Sequence, residues 1–356
     1  MHPQQCFTSA AMPPAPLESV GQAPSAGPAK GQDAMTEDWW HAVHSVNMEQ
    51  HVKHLDRFQW RYDQLSAGAF HARLAELAMP RVRVFRETIT NSTQQSGLPP
   101  DGSIGLGLPL APDAPMWMNG MRVAGGRVIM SHGAEIELCT APDCEMGFVI
   151  ADAAVIEETM QRTGVHMARH LRRKAAVVQL SSTSEDALRQ ILALVHGNFG
   201  VPPEALRSGA ARRQLEDHLI LELVDALSSA SALPEERNAL LRKRVVDRAR
   251  ELMLSALEAP LSILDVCSRI GASRRKLNYC FQEVLGTTPV AYLRAIRLNG
   301  VRRELLDAAQ AGGGVYDIAV RWGFWHFSQF SMDYKRQFGE LPSRTLQRAR
   351  GACGLA

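Results

Sequence analysis

The 356-residue chain has no run of about 18 apolar residues, so no membrane-spanning helix is predicted. Its first residues lack a charged start followed by an apolar stretch, which argues against a secretory signal. Cysteine is scarce. The six present, Cys6, Cys139, Cys144, Cys267, Cys280 and Cys353, show neither metal-type pairing nor the spacing of a disulfide framework. They read as reduced thiols of a cytoplasmic protein. Metal-dependent barrel chemistry would want two or three histidines and a carboxylate on neighbouring strands, and from residue 81 to 150 the chain offers only His132, with Glu135 and Glu137 downstream. His41, His44, His51 and His54 form two i, i+3 pairs that a helix could bring together, but no nearby carboxylate or cysteine completes a site. No metal site, catalytic residue or tightly held cofactor is therefore expected. Strong net charge is missing too, at +2, but the balance is uneven. Residues 233–356 carry 20 Lys and Arg against 12 Asp and Glu, and the remainder is acidic. A basic carboxy-terminal third on an acidic body suits a polyanionic partner.

What is present falls into three parts. Residues 1–36 are rich in Ala, Pro, Gly, Gln and Ser without aliphatic periodicity, a composition that predicts a disordered tail. Residues 37–232 form the second part. Between about 58 and 150, short period-two runs alternate with Pro, Gly, Asp and Asn turns: 81–90, 103–110, 116–123, 126–131, 135–139 and 145–150. Asn119-Gly120 marks a hairpin. These runs predict a small antiparallel β-barrel or sandwich able to hold one small ligand, with Trp60, Phe85, Trp117 and Phe148 as candidate effector-binding residues or, equally, core. Helical periodicity returns over about 152–228. There Leu215, Leu219, Leu223 and Leu227 make a seam that could join two copies of the chain or cover the barrel. Ser228–Ala232 reads as a linker.

Residues 233–356 form the third part, all helical. One pattern is written twice: Ile263–Gly271 followed by Arg274–Phe281, and Val315–Gly323 followed by Phe327–Tyr334. Each is a short amphipathic helix, a glycine suited to positive φ and a second helix, the grammar of a helix-turn-helix. Leu277, Cys280, Phe281 and Val284 share one face of the first outer helix, which turns Arg274, Arg275, Asn278, Tyr279 and Gln282 outward. These residue types suit the major groove: Arg to guanine, Asn or Gln to adenine. The second outer helix offers Ser328, Ser331, Met332 and Lys335, a set fitted to phosphate and shape contacts more than to base reading. A helix from Pro289 to about Leu306 links the two units.

The double motif resembles the AraC/XylS family of transcription regulators. The resemblance rests on Ser273-x-x-x-Leu277-x-x-x-Phe281, Gly286-x-x-Pro289-x-x-Tyr292-Leu293, Arg297-Leu298, Ile318-Ala319, Gly323-Phe324, Ser328-x-Phe330 and Gly339-x-x-Pro342-Ser343. It implies base contacts by Arg275, Asn278 and Tyr279 in the first unit, and by Ser328, Ser331 and Met332 in the second. The chain departs from the family pattern at His326, where a capping Asp or Ser is usual, and at Met332, often Arg. The resemblance also implies an amino-terminal sensing and dimerising domain, with double-stranded DNA, RNA polymerase and a small effector as partners. Arg297–Leu306 and Trp322–His326 are similar to segments of regulators of ethanolamine-utilisation operons, which would make ethanolamine and adenosylcobalamin the first effectors to try. The expected fold is α+β, a β-barrel or sandwich with packed helices followed by an all-α double helix-turn-helix domain. Two other readings stay open: a barrel enzyme bearing a DNA-binding module, and a ligand-independent DNA binder whose barrel only dimerises.

Overall fold

Alternation along one strand decides where the layers lie. In β5 (Val82–Ile89), Val82 and Val84 face one way and Phe85, Glu87 and Ile89 the other, and all five are buried. A strand buried on both faces needs a layer on either side. The computed structural model describes residues 35–37, 39–55, 57–111, 115–167, 171–172, 174–194, 201–234, 236–255, 261–311 and 313–353. Of the expected tail, residues 1–34 lie outside the described residues, while 35 and 36 belong to strand β1 (Met35–Glu37).

The strands form two antiparallel sheets. After β1 come β2 (Trp40–Ser45), helix α1 (Met48–Lys53), β3 (Gln59–Gln64), β4 (Ala72–Ala78) and β5, then β6 (Thr93–Leu98) and β7 (Ser103–Pro109). β8 (Met116–Met118) and β9 (Met121–Val123) form the hairpin expected at Asn119-Gly120, whose φ angles are 48° and 80°. β10 (Arg127–His132), β11 (Ile136–Thr140), β12 (Cys144–Asp152), α2 (Ala153–Thr163), β13 (Ala175–Gln179), α3 (Ser182–Leu194), α4 (Gly209–Ser229) and β14 (Ser231–Ala232) follow. The nine-stranded sheet runs β1-β2-β4-β5-β12-β7-β10-β13-β14 and the five-stranded one β3-β6-β11-β8-β9. Neither order returns on itself, so the expected barrel is not closed; the region is an open sandwich. The interior joins Leu74, Phe85, Ile129 and Met146 of the larger sheet to Tyr62, Met116, Met118, Ile136 and Leu138 of the smaller.

The outer face of the larger sheet is apolar as well, and α2, α3 and α4 cover it. This corrects the expectation of a leucine seam at a subunit interface. Leu219, Leu223 and Leu227 are at most 2% exposed, in one core with Leu77, Val84 and Leu106, and Leu215 packs against it. The sheet needs that cover, and the seam supplies it. Ser231–Ala232, expected as linker, pairs with Val178 and Gln179. The histidine run is not one helix either. His41 and His44 lie on β2, while His51 lies on α1.

The remaining helices are α5 (Glu236–Ser255), α6 (Ile263–Ile270), α7 (Arg274–Leu285), α8 (Pro289–Ala311), α9 (Val315–Arg321), α10 (Phe327–Phe338) and α11 (Pro342–Cys353). They build two small cores. One gathers Val246, Val266, Leu277, Phe281 and Ile296; the other gathers Leu298, Leu305, Ile318, Phe330 and Tyr334. α8 serves both. At Gly300 it comes so near Trp322 that a Cβ would lie 2.2 Å from the indole, a contact only glycine permits. Ala34–Ala356 make one compact unit.

Candidate nucleic-acid interface

Capping fixes the first helix pair. Ser262 Oγ accepts from the Asp265 backbone N–H at 3.1 Å, and Asp265 Oδ2 accepts from that of Ser262 at 3.0 Å, a reciprocal box at the start of α6. The Ser262 hydroxyl, which donates to Asp265 Oδ2 at 2.7 Å, and then the Ser262 backbone N–H hold the Asp265 carboxyl below its ordinary range. Gly271, at φ +67°, ends α6, and two residues later Ser273 Oγ caps α7 by accepting from the Lys276 N–H. α7 buries Leu277, Cys280, Phe281 and Val284 and leaves Arg274, Arg275, Asn278, Tyr279 and Gln282 exposed together on one side. Tyr279 is 54% exposed, much for an aromatic ring without a ligand.

The second pair differs. His326 stands at the N-cap of α10 and its side chain makes no cap hydrogen bond. Phe330, Tyr334 and Phe338 are buried; Ser328, Met332 and Lys335 are exposed and Ser331 is half-buried. Asp333, which sequence reasoning did not single out, pins this helix. It is buried, forms an ion pair with Arg294 of α8, and accepts from Arg336 at 2.8 Å. Sequence reasoning also passed over an exposed aromatic group, Tyr316, Trp325 and Phe327, where the Tyr316 and Phe327 rings lie 5.8 Å apart. The signal was the run Phe324-Trp-His-Phe327 in a turn, three aromatic rings for which one small core has no room.

α5, α7 and α8 rest on the back of the five-stranded sheet and α10 reaches its edge, and the period of two separates the sheet's faces. Glu137 of β11 accepts from Lys243 at 2.7 Å and from Arg250 of α5, and from Gln94 of β6 at 2.5 Å. Tyr292 of α8 donates to Gln94 Oε1 at 2.9 Å. Trp117, one of the four candidate effector residues, points this way too, against Gly286 at the end of α7. At the strand edge, Gln64 is clasped by Asn299 and Gln337: its N–H donates to Asn299 Oδ1 at 3.0 Å and its Nε2 to the Gln337 carbonyl at 2.6 Å. Asp63 pairs with Arg303.

The front of the same sheet meets a cavity of about 50 Å³. Trp60, Phe85 and Phe148, the other three candidates, line it with Tyr62, Glu87 and Ser131. Glu87 Oε1 faces His51 Nε2 at 2.5 Å and accepts from the Tyr62 hydroxyl at 2.9 Å. Burial, and then the Glu87 charge, push the Tyr62 phenol well above its ordinary range, so it stays a donor. Among the described residues no group of three or more His, Cys, Asp or Glu is placed to hold a metal ion. No helix among them is long and apolar enough to cross a membrane.

Comparison with known proteins bears on the helical part. A family model described as a helix-turn-helix domain matches residues 266–348. A solved AraC-type transcriptional regulator from Chromobacterium violaceum is 31% identical, covering 30% of this chain and 93% of that one, with a TM-score of 0.28. Over residues 266–348 the chain carries a helix-turn-helix domain of the kind found in AraC-type regulators. Among curated relatives, a probable thc operon regulatory protein of Rhodococcus erythropolis is 40% identical over 103 residues, 29% of this chain and 31% of its own length. The XylDLEGF operon transcriptional activator 1 of Pseudomonas putida is 25% identical over 232 residues, 64% of this chain and 68% of its own. The first relative is thus matched over about a third of its length, and the match falls to regulators, not enzymes. The matched segment, residues 266–348, reaches from α6 to α11 and so takes in both helix pairs.

Glu137 gives one expected result. Burial alone would raise its pKa, but Arg250 and Lys243 hold it below the ordinary 4.5. A carboxyl lowered on folding contributes stability that is complete above the unfolded value and lost as pH falls through the folded one. The stability gap between wild type and Glu137→Gln, from urea melts, should therefore be constant at neutral pH and shrink below about pH 4.5. A gap independent of pH down to 3 would contradict the assignment.

Proposed function

We propose that the chain is a transcription regulator that lays α7 and α10 in two successive major-groove segments of double-stranded DNA and adjusts that grip to a small effector in the sandwich cavity. One observation carries the DNA reading: the exposed row Arg274, Arg275, Asn278, Tyr279 and Gln282 on a capped helix within the matched family segment. α8 has 23 residues, about 35 Å at 1.5 Å per residue, close to one turn of B-DNA. It can hold two helix-turn-helix units in register on one side of the duplex.

The five-stranded sheet supports the effector reading, because it is one layer with two faces. Its front meets the cavity through Trp60, Tyr62 and Leu138, and its back meets the DNA-binding helices through Asp63, Gln94 and Glu137. A ligand that moves the strands moves both helix pairs, which is the differential contact that linkage requires. The relatives' descriptions as activators suggest that RNA polymerase is the downstream partner. Ethanolamine fits the size of the cavity, whereas adenosylcobalamin is far larger than 50 Å³ and would need another place.

Selection of bound duplexes from a random library by the full chain tests the reading. Enrichment of a site with two half-elements about one turn apart is the expected result, and loss of enrichment for only one half-element with α10 variants would assign the halves. Failure to enrich any sequence would overturn it. Within that site, Lys335→Ala should weaken selected and random DNA alike and reduce the salt slope of log K by about 1, the mark of a lost phosphate contact. A loss confined to the selected site would make Lys335 a base reader instead.

A further inference from the structure

The polar groups of the sandwich cavity are few and unevenly satisfied. Glu87 is 4% exposed and lies among Phe58, Trp60, Phe85 and Phe148. Its two donors, His51 and Tyr62, both meet Oε1, and among the described residues no donor reaches Oε2. His51 is fully buried and its Nδ1 has no partner there. A buried lone pair without a partner costs less than a buried N–H without one, so the ring proton belongs on Nε2, donated to Glu87. In that arrangement Glu87 receives two hydrogen bonds on Oε1 and none on Oε2, and no Lys or Arg is among the residues lining the cavity. A buried, uncompensated charge is expensive unless something pairs with it. Ser131, 6% exposed on the same cavity wall, also has an unpartnered Oγ.

We propose that the cavity is a site for a small organic ammonium ion, its nitrogen on Glu87 Oε2 and its hydrocarbon body among the aromatic rings. The aromatic faces attract a cation as well as bury its methylene groups, and the carboxylate supplies the charge. A neutral alcohol of the same shape leaves Glu87 uncompensated. A carboxylate ligand sets two like charges together in a dry space. The volume, about 50 Å³, admits roughly four water-sized groups, so the ion has a short, compact carbon skeleton. This assignment rests on the effector reading above and adds the chemistry of the ligand to it.

Three probes with the same isopropyl body test it on the full chain at pH 7: isobutylamine, isobutanol and isobutyrate, each titrated by calorimetry and by thermal shift. Isobutylamine should bind at least about tenfold more tightly than isobutanol, and isobutyrate should produce no shift. In Glu87→Gln the amine should lose that advantage and come within about twofold of the alcohol. Equal binding of amine and alcohol, preference for isobutyrate, binding of none of the three, or an amine preference that survives Glu87→Gln would each overturn the proposal. The wild-type series decides alone if Glu87→Gln does not fold. Repeating the amine titration with selected DNA present separates the two claims: an amine that binds Glu87 but leaves DNA affinity unchanged sinks the sensing reading and spares the ligand assignment.

Discussion

Arg302→Met should lower the stability of the chain by about 3 kcal/mol, the lower end of the range for breaking a buried ion pair from one side. Arg302 is 4% exposed. Its Nε and Nη2 donate to the two oxygens of Glu49 at 2.7 and 3.0 Å, its Nη1 donates to Glu340 at 2.9 Å, and its guanidinium lies 4.8 Å from the centre of the Phe338 ring. Methionine keeps the length and the ring contact but leaves Glu49 without its fork. Glu340 keeps Arg348, whose two N–H groups reach it at 2.7 and 2.9 Å, and Thr345. That residual pairing, with a Glu49 side chain still 27% exposed, is why the loss stays near 3 kcal/mol. Arg321→Met is the matched control. Arg321 bonds Glu304 at 2.6 Å, but the two side chains are 56% and 36% exposed, so less than about 1 kcal/mol should be lost. Equal losses from the two variants in urea melts would show that burial of the Arg302 cluster has no special weight.

Arg302 also shows where a sequence stops speaking. It lies on the linker helix of a basic domain, and one of its acidic partners, Glu49, lies 253 residues away on α1. No local pattern announces such a pair. The outward face of α7 was legible because it depends on local physics: a serine cap, a glycine at positive φ, and apolar residues three and four apart. β4, Ala-Arg-Leu-Ala-Glu-Leu-Ala, was not legible, because its residues favour a helix and it becomes a strand through pairing with β2 and β5 on either side. β6 was missed for another reason. Thr93, Gln94 and Gln95 are polar yet buried: Thr93 and Gln94 are satisfied by Thr140, Glu137 and Tyr292 from distant elements, and Gln95 donates to Thr93. Trp117 could have been placed better, since Met116 and Met118 share the opposite face of a strand and fill the interior. Glu87 and His51, 36 residues apart on a strand and a helix, meet only in the fold, which is why the histidine run looked as if it had no carboxylate.

Asn278→Ala and Arg275→Ala should each weaken binding to the selected site by about 1–3 kcal/mol, roughly 5- to 150-fold, and the double variant by about the sum if the two read different base pairs. Both side chains are exposed and sit on α7 beyond its cap, on the face opposite Leu277 and Phe281. Among the described residues neither is held by an ion pair, in contrast to Arg294, Arg302 and Arg303 of α8. Asn278 is the cleaner test because it carries no charge. Its loss should leave affinity for random DNA unchanged and relax preference at one base pair, as expected when a forked contact to adenine is removed. For Arg275 charge and geometry must be separated, and Arg275→Lys does this. Lysine keeps the phosphate attraction but not the planar fork that matches the guanine edge, so it should retain random-DNA affinity and lose most of the specific increment. Competition binding on selected and scrambled duplexes at one fixed salt concentration measures all four variants. Equal losses on the two DNAs would reduce α7 to an electrostatic anchor and move sequence reading elsewhere, with the exposed Tyr316, Trp325 and Phe327 group beside α10 as the next surface to probe.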